Sequence, residues 1–161
     1  MIKLDWTIPA IALTLSGVLL IWIRSKFPFI RSKNQDKQPS NNHDEKLLKS
    51  VFEKLIEYVE EEKVYLNKSI KVADLADALK HSEKTVSRSI NTHSNGNFNS
   101  FINSFRVRHS KELLISGRLD HYTIEAIAEE SGFANKVSFY NAFKSDTGMS
   151  PKQFRALKHS N

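Results

Sequence analysis

The chain has 161 residues, enough for one domain with a substantial core, and its 40% hydrophobic and 26% charged content suits a folded domain. It contains no cysteine, which excludes disulfides and cysteine-ligated zinc, and its six histidines are scattered without the spacing of a metal pair on one helix face. The formal net charge of +6 is unevenly placed: residues 24–37 hold five basic residues against one acid, whereas 44–161 hold 18 basic and 16 acidic residues.

Residues 1–5 form a short N-terminus with Lys3 set against Asp5. Residues 6–23, from Trp6 to Ile23, are 18 in number and carry no charge. As a helix they would span about 27 Å at about 1.5 Å per residue, close to a hydrocarbon core of about 30 Å. Pro9 falls in the first turn, where its missing N–H costs little, and Trp6 and Trp22 sit near the two ends, where interfacial aromatics collect. The basic flank follows the span, and Arg24-Ser25-Lys26-Phe27-Pro28 lacks the small residues of a signal-peptide cleavage site. The expectation is a single transmembrane helix over 6–23, in contact with membrane lipid, with the C-terminal part in the cytoplasm.

Residues 24–44 are polar and basic and lack apolar periodicity, so they read as a linker. Its cations directly follow the span and suit anionic lipid headgroups.

The remainder, 45–161, reads as one all-α domain. Leu48, Val51, Phe52, Leu55, Ile56 and Val59 predict an amphipathic helix over about 45–62. Val64-Tyr65-Leu66 then crosses to a short helix over 71–79. Ser82 caps a third helix to about His93, with Val86 and Ile90 inward. Asn97 starts a long fourth helix to about Ser116, striped by Phe98, Phe101, Ile102, Phe105 and Leu113 and ended by Gly117. Thr123 caps a fifth helix and Asn135 a sixth, with Phe139 and Phe143 buried. Gly148 stops the sixth, and Ser150-Pro151 opens a seventh with a cap followed by proline.

The domain repeats itself. Leu75-Ala76 corresponds to Ile127-Ala128 at an offset of 52, while Ser82, Val86, Arg88 and Ile90 correspond to Asn135, Phe139, Asn141 and Phe143 at an offset of 53. Each unit is a pair of short helices crossing at a tight turn, a helix-turn-helix whose second helix fits a major groove. The units occupy about 71–93 and about 123–147, joined by a connecting helix over about 97–116.

Ile127-Ala128, Gly132-Phe133, Phe139, Phe143-Lys144, Thr147-Gly148, Ser150-Pro151 and Phe154-Arg155, at this spacing, resemble the DNA-binding domain of the AraC/XylS family of bacterial transcription regulators. The resemblance covers about 45–158. It implies two recognition helices entering successive major grooves of double-stranded DNA, and Phe105-Arg106-Val107 lies where the family has an aromatic-Arg-aliphatic run. The first unit departs from the pattern: its turn is Lys80-His81, which sets His81 at an apolar position, and Asn95 stands where the family often has glycine.

With Val86 and Ile90 inward, Lys84, Ser87 and Arg88 face out from the third helix. Arg88 suits guanine O6 and N7 through its planar fork. From the sixth helix, Lys136, Val137, Tyr140 and Asn141 face out. Asn141 suits adenine, and Val137 or Tyr140 suits a thymine methyl. Lys144, Arg155 and the N–H groups opening the seventh helix are candidate phosphate contacts. Arg106 reads as structural, as in an internal ion pair for example.

The sequence therefore reads as a sequence-specific DNA-binding regulator at the cytoplasmic face of a bacterial inner membrane. It implies no cofactor, metal or catalytic residue; RNA polymerase and a separate sensor protein are expected partners. The alternative is a membrane-anchored interaction or scaffold protein with a degenerate DNA-binding fold.

Overall fold

A computed structural model describes residues 42–94, 96–116 and 121–157. The apolar segment 6–23, most of the linker 24–44, Asn95 and the expected helix end at Gly117 lie outside them. Among the described residues no helix is long and apolar enough to cross a membrane.

Those residues form seven α-helices and one 3₁₀ turn. In chain order these are α1 (Asn42–Glu61), the turn Val64–Leu66, α2 (Val72–Leu79), α3 (Glu83–His93), α4 (Phe98–Ile115), α5 (Ile124–Glu130), α6 (Lys136–Thr147) and α7 (Pro151–Leu157). One boundary expected from sequence needs correction: α1 claims residues 42–44, the end of the expected linker. Asp44 and Glu45 lie in its first turn, where carboxylates offset the positive end of the helix dipole.

Local chemistry sets the helix starts. The side chains of Ser82, Asn97, Thr123 and Asn135 accept hydrogen bonds from the N–H groups of Thr85, Ser100, Ala126 and Ser138, at 3.1, 3.1, 3.1 and 2.8 Å. Each satisfies a donor that the helix itself leaves orphaned. α2 has no such cap, and the Asp74 carboxylate reaches back to the Lys71 N–H at 2.7 Å.

The two helix-turn-helix turns share one shape. In the first, the N–H groups of Lys80 and His81 donate to the carbonyls of Asp77 and Ala76, at 3.2 and 2.9 Å. In the second, those of Gly132 and Phe133 donate to Glu129 and Ala128, at 2.9 and 3.0 Å. Both units need a left-handed residue there, with φ of 54° at Lys80 and 83° at Gly132. The first turn is thus fully formed, at the steric cost of a Cβ in that region. His81 is half-buried at the position where Phe133 is buried.

Two cores result, and α4 serves both. Its first half buries Phe101, Ile102 and Phe105 against Phe52, Leu55, Leu75 and Ile90. Its second half buries Val107 and Leu114 against Ile127, Phe133, Phe139 and Phe143. A single apolar stripe is therefore an incomplete description of α4: Leu114 is the more buried residue of the Leu113–Leu114 pair, and Phe98 is half-buried.

Arg106, in the middle of α4, joins the halves. It is buried. Its Nε donates to the Tyr65 carbonyl at 2.7 Å and its Nη2 to the Asn67 carbonyl at 2.9 Å. Nη1 donates to the Asn103 side chain at 3.3 Å, and the guanidinium lies 5.7 Å from the Phe133 ring centre. Arg106 is thus structural, and its acceptors are neutral oxygens rather than an ion-pair partner. Two further ties flank it, Arg108 to Glu60 and Lys111 to Asp146, each at 2.6 Å.

Candidate nucleic-acid interface

α3 packs on α1 and on α4. Val86, Ser89 and Ile90 are buried, and the Ser89 hydroxyl donates to the Leu48 carbonyl at 2.7 Å. These contacts fix the rotation of α3 about its axis. Lys84 and Arg88 are exposed, and Ser87 is half-buried between them. Residues 84, 87 and 88 share one helical face because three- and four-residue steps return to the same side.

α6 is set by an aromatic ladder. Phe139 lies 5.0 Å from Phe133 and 5.5 Å from Phe143, and Phe143 lies 5.4 Å from Phe154 of α7. With Phe139 and Phe143 buried, Lys136, Val137, Asn141 and Lys144 are exposed. Tyr140 is half-buried, with its ring edge-on to Phe139 at 5.7 Å. Val137 is 69% exposed. Asn141 also borders an open groove of about 420 Å³, which it shares with Ser100 and Asn103 of α4.

The offset of 53 places Lys84 opposite Val137, Ser87 opposite Tyr140 and Arg88 opposite Asn141 in the repeat. The two outward faces correspond in position and differ in chemistry. That of α3 is cationic and hydroxylic; that of α6 is apolar and amide-bearing.

The chain matches a family described as "Helix-turn-helix domain" over residues 75–157. It belongs to the AraC-type helix-turn-helix family. Among solved structures it is similar to the C-terminal domain of AraT, a response regulator from Geobacillus stearothermophilus. That likeness has 27% identity and a TM-score of 0.57, and covers 68% of this chain and 87% of that one. Two further likenesses concern the fold alone. A protein of unknown function from Listeria innocua is 21% identical, with a TM-score of 0.55 over 65% of this chain and 94% of that one. ToxT from Vibrio cholerae is 18% identical, with a TM-score of 0.52 over 98% of this chain and 51% of that one. No curated protein sequence matches the chain significantly.

In this AraC-type domain the two candidate phosphate residues differ in availability. Lys144 is exposed near the end of α6. Arg155 is half-buried and spends Nη1 on the Tyr122 carbonyl at 3.0 Å, which ties α7 to the segment before α5. The start of α7 is partly engaged in its own cap. The Ser150 N–H donates to Gln153 Oε1 at 2.9 Å and the Gln153 N–H to Ser150 Oγ at 3.3 Å. This reciprocal capping box was legible as Ser-x-x-Gln before the helix.

Two acids near the outward faces of α3 and α6 were not singled out in the sequence. Asp44 Oδ2 of α1 lies 4.0 Å from Arg88 Nη2. Glu125 of α5 pairs with Lys136, whose Nζ also lies 5.5 Å from the Tyr140 ring centre. The hydrogen bond from Lys136 holds the Glu125 carboxyl below its ordinary pKa, and the same bond raises the Lys136 ammonium above its own. Neither pair follows a helical period, so no periodic signal marks them.

Proposed function

We propose that this protein is a sequence-specific DNA-binding transcription regulator that sets α3 and α6 into successive major grooves. The correspondence of the two outward faces carries this reading, because it sets two candidate base-reading surfaces, on α3 and α6, either side of the shared helix α4. Lys84, Ser87 and Arg88 read the first half-site, with Arg88 on guanine. Lys136, Val137, Tyr140 and Asn141 flank or read the second, with Asn141 on adenine and the apolar residues on thymine methyls. Lys144 contacts phosphate, with Arg155 contributing through whatever its Tyr122 contact leaves available. The chemistry of the faces predicts unlike half-sites: a G·C-containing half and an A·T-rich half about one helical turn apart.

The apolar segment 6–23 anchors this reader at the cytoplasmic face of a bacterial inner membrane, in contact with lipid. RNA polymerase and a separate sensor protein are the proposed partners. Footprinting on genomic fragments tests the regulator reading. A protected tract spanning two adjacent major grooves is expected, and equal binding to random duplexes with no protected tract would overturn it in favour of a scaffold. Mapping of bound DNA with and without residues 1–30, together with membrane fractionation, tests the anchor.

A further inference from the structure

The Glu125–Lys136 pair belongs to one half of the repeat only. The positions equivalent to Glu125 and Lys136, at offsets of 52 and 53, hold Ala73 and Glu83. Lys136 is the first residue of α6 and Glu125 lies in the first turn of α5, so the two meet across the turn. The ammonium is bound by the carboxylate and also lies near the Tyr140 ring. Beneath the pair, Glu125, Ala128, Phe133 and Lys136 line a small cleft between α5 and α6.

We infer that Glu125 is a positioning residue for DNA specificity: it holds Lys136 against Tyr140 and away from the phosphate backbone. This rests on the regulator reading above. An unrestrained lysine at the exposed end of a recognition helix attracts any duplex, because phosphate contacts carry no sequence information. Pairing the cation with Glu125 removes that sequence-blind attraction and places a carboxylate where a misplaced phosphate would sit. The apolar and amide side chains of α6 then account for a larger share of the discrimination. The pair is solvent-exposed, with side-chain exposures of 59% for Lys136 and 48% for Glu125. Its effect on random DNA is therefore modest, up to about fivefold in affinity.

The test measures the affinity of the full chain for its footprinted site and for a random duplex across a salt series. The variants are Glu125→Gln, Lys136→Met, the double variant, and Glu129→Gln as a control for loss of a nearby negative charge. Glu125→Gln is expected to raise random-duplex affinity by up to about fivefold and to steepen the dependence of log K on log salt by about 0.9, one added phosphate contact. The ratio of specific to random affinity falls accordingly. In the Lys136→Met background the same substitution leaves the salt slope unchanged, and Glu129→Gln has the smaller effect. An unchanged slope in Glu125→Gln, or an equal change with and without Lys136, overturns the inference. A wild-type protein without preference for any site overturns the regulator reading itself, a result distinct from both.

Discussion

Gly132 lies directly against the main-chain carbonyl of Tyr65. A Cβ at Gly132 would overlap that oxygen and come within 2.8 Å of the Leu66 Cα. The same carbonyl accepts the Arg106 Nε–H at 2.7 Å. The turn of the second helix-turn-helix is thus seated on the strap leaving α1, and the residue beneath both comes from the connecting helix. This junction ties the two units together beside the shared helix α4, away from either outward face.

Gly132→Ala is expected to be strongly destabilising. It adds a left-handed penalty at φ 83° to a clash with backbone, which cannot yield as a side chain can. A loss of about 2–4 kcal/mol is expected in urea unfolding. A change below about 0.5 kcal/mol would show that the strap moves freely.

Lys80→Gly is expected to act in the opposite direction. Lys80 holds φ 54° with an exposed side chain, so glycine relieves strain at some cost in chain entropy. A net gain of about 0.5–1 kcal/mol is expected by thermal or urea unfolding. DNA affinity should stay at the wild-type level, since the turn already has the shape of its partner.

Arg106→Met removes three donors from the junction and leaves the Tyr65 and Asn67 carbonyls without them. A destabilisation of about 2–4 kcal/mol is expected. The sharper readout is DNA geometry: the loss should be larger on a full site than on either half-site, because Arg106 touches neither reading face. Equal loss on all three would assign it a role in folding alone.

On the reading faces, Arg88→Ala and Asn141→Ala are each expected to cost about 1–3 kcal/mol on the specific site and to relax preference at one base pair. Lys144→Ala should weaken all duplexes alike and flatten the salt dependence by about 0.9. Equilibrium binding across a salt series separates the two behaviours.

Acid should destabilise the fold before its carboxylates titrate. Burial lowers the pKa of His93, with Glu45, Lys49 and Glu53 exerting smaller effects, and also that of His109, among Glu112, Lys63, Arg108 and Glu130. The folded state therefore favours neutral imidazoles. Their contribution is fully present above the ordinary value of 6.5 and is lost as pH falls from there through the folded values, because the unfolded chain binds more protons in that window. The melting temperature should hold steady above about pH 6.5 and fall as pH drops below it, and His93→Gln should reduce that slope. An identical slope in the variant would assign the effect to other groups.

The sequence alone determined what is local. Ser82, Asn97, Thr123 and Asn135 mark helix starts because a cap acts within three residues, and Gly148 marks an end because its left-handed φ of 75° disfavours a side chain. The repeat of Leu75-Ala76 in Ile127-Ala128 placed both turns, and apolar residues four apart, Val86 with Ile90 and Phe139 with Phe143, then indicated which residues face outward. Tertiary structure decided what joins distant residues. Arg106 meets Tyr65 across 41 positions, Glu60 meets Arg108, and Gly132 meets the strap; packing of α4 into two cores brings each together. The same holds for Asp44 beside Arg88 and Glu125 on Lys136. A cap or a stripe is written in the chain's own period, whereas a charge pair between helices depends on how those helices rotate against each other.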